Sequence, residues 1–296
     1  MPLNVIDINT DIINPYTGTT VTINGIEMST NGTNNINLGE DSGQLTTTGQ
    51  SNTSLGVYSM QYNTTSLENV AIGSYSLSLN DGPSGQVAIG SNALKSSNGG
   101  ASQTAVGRNA LFSLTTGSGL NTAVGHGAGY FSTSGSSNVF IGASSALSST
   151  TGSNNICLGT SSNVPSATTD NSITLGNSSH TVLRCAVTSI TSLSDARDKT
   201  NVEESDYGID FVNSLKPVKF EWDTRDGAKK GVKDLGFIAQ DLKEVDDEHL
   251  NLVYDENPDK LEATYGRLIP VLVKAIQEMS SKMELLEKEI LTLKSK

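Results

Sequence analysis

The sequence predicts a mostly β stack of short repeats, a β-roll or β-helix, followed by an α+β domain that ends in a coiled-coil helix. Three observations predict it. A five-residue unit recurs at a fixed spacing through the first 180 positions, charge is concentrated in the last 106, and the final segment keeps a strict 3-4 apolar step.

The repeat unit is Asn/Gln-x-small-aliphatic-Gly, as in "NVAIG", "QVAIG", "QTAVG" and "NTAVG". Its glycines are Gly39, Gly56, Gly73, Gly90, Gly107, Gly125, Gly142, Gly159 and Gly176, separated by 17 residues except for one step of 18. Polar low-complexity tracts do not hold such a register, so the Ser, Thr, Asn and Gly-rich composition does not mean disorder here. A β-solenoid does require it, because each coil buries too little alone and must stack on the next. Leu38, Leu55, Ile72, Ile89, Val106, Val124, Ile141, Leu158 and Leu175 precede the glycines and are expected to form an inward aliphatic ladder. The first Asn is expected to stack on its neighbours or hold a turn. A weaker signal after several glycines ("SYSL", "SNAL", "RNAL") suggests a second short strand per coil. At about 4.8 Å per coil, nine coils make a column on the order of 43 Å tall. A single-chain hexapeptide helix is the competing architecture, but it wants about 18 residues per coil.

Residues 1–190 hold eight carboxylates and three basic side chains, and the remainder holds 23 and 16, so the net charge of −12 divides as −5 and −7. Neither part is basic, which argues against a nucleic-acid partner. No apolar run approaches the length of a membrane span, and "MPLNVIDINTDI" lacks the features of an export signal. Neither membrane insertion nor a cofactor is expected. Cys157 and Cys185 make no disulfide framework and no metal spacing. The few acids of the repeats are spread over different coils, so no glycosidase pair is expected within one chain. His126, alone in "VGHGAG", reads as an exposed turn residue.

From Asp195 the composition is that of an ordinary α+β domain. "VKFEWDT" alternates as a strand and contains Trp222, "GAKKG" is a turn, and "DLGFIAQDLKEV" reads as a strand running into a helix. Ile269, Leu272, Ile276, Met279, Met283, Leu286, Ile290 and Leu293 then step by 3 and 4, the seam of a coiled coil over about 271–294. Pro270 fits the first turn of that helix. Ile at a with Leu at d favours two strands in isolated coils.

Four blocks in order, "SDARDKTNV", "LKPVKFEW", "GFIAQDL" and "YGRLIPVLVKAIQEM", resemble the intramolecular chaperone domain that ends phage endosialidases and many tail fibres. The resemblance runs from Ser194 to Lys296. It implies that the domain drives trimerisation and folding of the chain before it and then cuts itself off, so that a homotrimer is expected despite the two-stranded preference of the heptad. The family's nucleophile matches Ser194 and its lysine matches Lys199, with Asp195, Arg197 and Asn201 as supporting positions and Leu193–Ser194 as the bond cut. A serine hydroxyl needs a base, and a lysine serves only when neutral, which burial or a neighbouring cation such as Arg197 favours. On its own the same stretch reads as a helix start capped by Ser194 or Asp195. The repeats themselves are similar to the head units of trimeric autotransporter adhesins and to the shafts of phage fibres.

The expected organisation is a cap or attachment segment (1–34), a β shaft (35–180), a linker (181–193) and a self-cleaving chaperone domain (194–296). The expected partners are two further copies, a virion or baseplate, and a host surface receptor, a glycan among the candidates. Exposed turns such as 78–85 and 95–102 are candidate contact loops. Two other readings remain open: a cell-surface adhesin with a permanent trimerisation cap, and a glycan-degrading tailspike.

Overall fold

A computed structural model of the chain describes residues 21–23, 26–29, 34–116, 119–186 and 190–295. The chain divides into two compact units, one ending at Asn177 and one beginning at Ser178. Most of the expected attachment segment 1–34 lies outside the described residues. Within it, β1 (Val21–Ile23) and β2 (Ile26–Ser29) form an antiparallel hairpin, and β2 also pairs antiparallel with β3 (Ile36–Leu38).

The strands that follow are β4 (Thr53–Leu55), β5 (Val70–Ile72), β6 (Val87–Ile89), β7 (Thr104–Val106), β8 (Thr122–Val124), β9 (Val139–Ile141), β10 (Ile156–Leu158) and β11 (Ile173–Leu175). From β3 to β11 each strand pairs in parallel with the next. This is a parallel β-solenoid of about eight turns, with equivalent repeat positions opposite one another, as in Ala88↔Ala105 and Ala105↔Ala123.

Two expectations about the coil are corrected. The aliphatic before each glycine does not face inward. Successive strand residues point to opposite sides, and the middle residue is the buried one: Ser54, Ala71, Ala88, Ala105, Ala123, Phe140 and Cys157. Leu55, Ile89, Val124, Ile141 and Leu175 stand exposed on the outer face. The interior is narrow, and its larger volumes come from the far side of the coil, where Met60, Leu77, Leu94 and Leu111 are buried.

Nor do the described residues form a second strand per coil. Tyr75 and Leu77 (φ 60° and 48°), like Asn92 and Leu94 (58° and 49°), alternate into the left-handed region, which no strand permits. These turns are still tied between coils, because Leu77 N donates to Ala93 O and Leu94 N to Ala110 O, both at 3.0 Å.

The Asn/Gln ladder does both things expected of it. The side-chain oxygen of Asn121 accepts from Asn138 N at 3.0 Å, and Asn138 in turn accepts from Asn155 N at 2.9 Å. The amide of Asn138 donates across the coil to Gly152 O at 2.8 Å. Asn121 and Asn138 thus each satisfy a backbone N–H and a backbone carbonyl, whereas Gln86 bonds side chains instead, accepting from Ser97 Oγ and donating to Asn80 Oδ1, both at 3.1 Å. The motif glycines are required by close approach. At Gly107 (φ 133°) a Cβ would lie 2.4 Å from the carbonyl oxygen of Gly125.

One coil exchanges large for small. Where others pair an inward Leu with a mid-strand Ala, this one has Gly129 with Phe140. A Cβ on Gly129 would meet the Leu111 and Phe140 side chains, each at 2.8 Å. The ring fills the space that a leucine takes elsewhere.

The second unit contains α1 (Ile209–Ser214), the hairpin β12 (Val218–Asp223) and β13 (Lys230–Gly236), α2 (Ala239–Lys243), the short pair β14 (Val253–Tyr254) and β15 (Glu262–Ala263), and the 27-residue α3 (Leu268–Lys294). Its core joins Leu242, Leu250, Leu252, Leu268 and Val271, with Phe211, Val212 and Phe237 packed against them. Pro270 sits in the first turn of α3, as expected. Leu268, Val271 and Ala275 face the core, whereas the heptad residues Ile269 through Leu293 are all exposed. Among the described residues no helix is long and apolar enough to cross a membrane.

Phe140→Ala is expected to cost about 3 kcal/mol or more through the cavity it opens. Adding Gly129→Leu, which restores the commoner pairing, is expected to return most of that loss. Thermal unfolding of both variants checks this, and a double variant no more stable than the single one would mean that the two positions do not share space.

Candidate active site

The segment that follows Ser194 is built by a single 3-10 turn, Ala196–Asp198, flanked by extended Asp195 and Lys199. Asp195 caps it, accepting from Arg197 N at 2.9 Å. A turn of three residues between two extended ones reverses the chain, and the consequence is a meeting of side chains five residues apart. Lys199 Nζ lies 2.7 Å from Ser194 Oγ and 3.4 Å from the Ser194 carbonyl oxygen. A regular helix would have separated them, as 3.6 residues per turn places neighbours at three or four residues. No partner chain is needed for the contact.

Arg197 is engaged elsewhere. Its guanidinium grips the Asp195 carboxylate through Nε at 3.0 Å and Nη2 at 2.6 Å. These hydrogen bonds hold the Asp195 carboxyl below the usual carboxylate range and raise Arg197. The arginine therefore locks the turn rather than turning its charge on Lys199. Asn201 lies beyond the turn in left-handed backbone (φ 53°).

The surroundings are open. Residues 190–206 are exposed throughout, with Leu193 at 96% and Ile190 at 97%. The Leu193–Ser194 peptide is thus presented on an accessible segment outside regular secondary structure, beside the hydroxyl and the amine. Chemically, the pair can deliver a hydroxyl nucleophile with an adjacent base, provided water is removed from around the amine.

Sequence reasoning did not identify the residues that tether this segment to α3. Glu204 pairs with Lys274. Four residues further along the helix, Glu278 accepts from Ile209 N at 2.8 Å, where a Cβ on Gly208 would strike the same carboxylate. Lys274 and Glu278 read in the sequence as an ordinary surface pair on a helix, and nothing local assigns them partners 70 and 69 residues away. Among the described residues no cluster of His, Cys, Asp and Glu could hold a metal ion.

Residues 194–251 match the peptidase family described as chaperone of endosialidase, so the match starts at Ser194 itself and ends before β14. The last of the four resembling blocks, 265–279, and most of α3 lie beyond it. The C-terminal part of the chain is accordingly similar to an assembly chaperone of phage-type fibres, a class of domain with peptidase activity and trimeric assembly. No curated protein and no solved structure matches the chain.

Glu278→Ala removes a charged acceptor from a half-buried backbone N–H and is expected to lower the stability of the second unit by about 1.5 kcal/mol. Chemical denaturation followed at the single tryptophan, Trp222, reads this out.

Proposed function

We propose that the chain is a fibre protein of a virion that assembles as a parallel homotrimer and then cuts itself between Leu193 and Ser194. The observation that carries the reading is the 2.7 Å approach of Lys199 to Ser194 at the first residue of the chaperone-like segment.

Lys199, once neutral, takes the proton of the Ser194 hydroxyl, and Oγ attacks the carbonyl carbon of Leu193. The C–N bond of the Leu193–Ser194 peptide breaks, the Ser194 nitrogen takes up a proton, and Leu193 is left as an ester on Oγ. Water then adds to the ester, leaving a carboxylate on Leu193 and restoring the hydroxyl of what is now an N-terminal Ser194. The reaction occurs once per chain and uses no cofactor.

In a single chain Lys199 is exposed, and an amine serves as the base only where water is removed from around it. Association of copies supplies the missing desolvation, which makes cutting conditional on assembly. Two apolar faces support such association. The heptad of α3 is exposed along its length, with Ile276 at 65%. On the solenoid, the residues flanking each mid-strand position are Ile, Leu, Val or Thr from Ile36 to Leu175, without one charge. A chargeless stripe repeated in register along a column fits a second copy of the same stripe. The chain's role after cutting is host attachment, with the shaft held by kinetic rather than added thermodynamic stability once its assembly domain is gone.

Intact mass under denaturing conditions tests the chemistry. Wild type is expected to give fragments 1–193 and 194–296, whereas Ser194→Ala, Lys199→Ala and Lys199→Arg remain whole, the last because a guanidinium does not give up its proton. Wild type that stays whole as a trimer would make the domain a permanent cap. Assembly has its own test in the Ser194→Ala background. Light scattering is expected to give three times the chain mass, falling to that of one chain when Ile276→Asp and Leu286→Asp are combined.

A further inference from the structure

We infer that four successive coils carry a binding site for an anionic saccharide chain, on the turn side of the column and away from its strands. The inference rests on the reading of the chain as an attachment fibre, and it adds the location of the site and the class of ligand.

The turn after β5 presents Tyr75, and the turns after β6, β7 and β8 present Lys95, Phe112 and Tyr130. Lys95 Nζ lies 5.0 Å from the Tyr75 ring centroid and 5.7 Å from that of Phe112. Phe112 and Tyr130 are stacked, with centroids 5.0 Å apart and planes within 1°. The result is one continuous stack of flat faces and a cation, rising one coil at a time. Tyr75 is exposed and the others are half-buried. The rings of Tyr75 and Phe112 do not serve the core of their own coils, since Leu77 and Leu111 already fill it. Beside Tyr75, Asn92 and Asn109 hold the equivalent position in the next two coils, and Asn92 Nδ2 donates to Asn109 Oδ1 at 3.2 Å.

Charge gives the stripe a sign. The sequence contains no carboxylate between Asp81 and Asp170, yet Lys95, Arg108 and His126 all fall there in a protein of net charge −12. Arg108 and His126 are exposed, and Nη2 of the one lies 2.8 Å from Nε2 of the other. A guanidinium donates there, so the imidazole accepts and Arg108 keeps its remaining donors for a ligand.

Aromatic plates meet the C–H faces of sugar rings, planar amides meet hydroxyl groups, and sparse cations meet carboxylates spaced along a chain. The rise of one coil is close to the length of one pyranose unit, so a saccharide can track the column. Nucleic acid is the poorer match, because its phosphates call for a denser positive surface than Lys95 and Arg108 provide.

The test applies full-length Ser194→Ala protein to a printed array of bacterial capsular and lipopolysaccharide chains, neutral and uronic-acid-bearing, with a single-stranded oligothymidylate spot. Retention on uronic-acid-bearing chains is expected. It should weaken about tenfold in Phe112→Leu, which keeps apolar bulk but loses the ring, and in Lys95→Gln. Unchanged circular dichroism and unfolding temperature in both variants exclude misfolding as the cause. The site is overturned if no saccharide is retained, if neutral chains bind equally well, if the oligonucleotide binds better, or if neither variant weakens binding. Light scattering on the same samples keeps the two readings apart. A trimer without binding removes the site alone, and a monomer that binds removes the assembly reading alone.

Discussion

Register between coils is the constraint on which the first unit depends. Backbone groups leave each coil for the next in both directions, as when Val87 N donates to Gln103 O and Gly90 N to Ile72 O, at 2.8 and 2.7 Å. A coil shifted by one residue would lose these bonds and also turn its strand inside out. That is why the spacing of 17 holds with a single exception. The one step of 18 is absorbed outside the strands, and Thr104 still faces Thr122. The same constraint makes glycine obligatory where two coils approach within van der Waals distance, and it turns a polar Asn or Gln into an interior residue.

Register also fixes what is left over. With only the mid-strand residue inside, the flanking aliphatics have nowhere to go but outward, and the column cannot cover them from within its own chain. The helix α3 repeats the situation at larger spacing: one face closes the small core, and the neighbouring seam is left in solvent. A chain with two such uncovered faces gains from a mechanism that brings identical copies together in the correct alignment. Non-local pairing is slow, and exposed strand faces are prone to mispairing while they wait. A helical seam that associates first answers that need.

The serine and lysine depend on a different piece of physics. Their contact comes from a tight turn held by Asp195 and Arg197, local and independent of any partner. Their reactivity does not, because an exposed amine and an exposed hydroxyl in water are a weak pair. Geometry prepared within the chain and desolvation supplied between chains would make cutting a report on assembly. The tethers from Glu204 and Ile209 to α3 join the segment that carries the site to the helix that carries the seam.

Much of this was legible in the sequence. The solenoid followed from the invariance of the glycine spacing, the Asn ladder from its place in the unit, and the terminal helix from its 3-4 steps, because each is a repeating demand that leaves a repeating mark. The serine and lysine were legible through resemblance, in a block whose local reading was only a helix start. Tertiary structure decided the rest. Strand alternation allows either neighbour to point inward, so whether Ala88 or Ile89 is buried was settled by the width of the interior, to which Leu77, Leu94 and Leu111 contribute from the far side of the coil. The exchange of Leu and Ala for Gly129 and Phe140 is invisible until the two positions are seen to share space. Left-handed residues such as Tyr75 and Leu77 carry no mark in the sequence, since neither residue type favours that region and only bonds to the next coil hold them there. The meeting of Ser194 and Lys199 within one chain belongs with these, because five residues specify a distance only once the turn between them has formed.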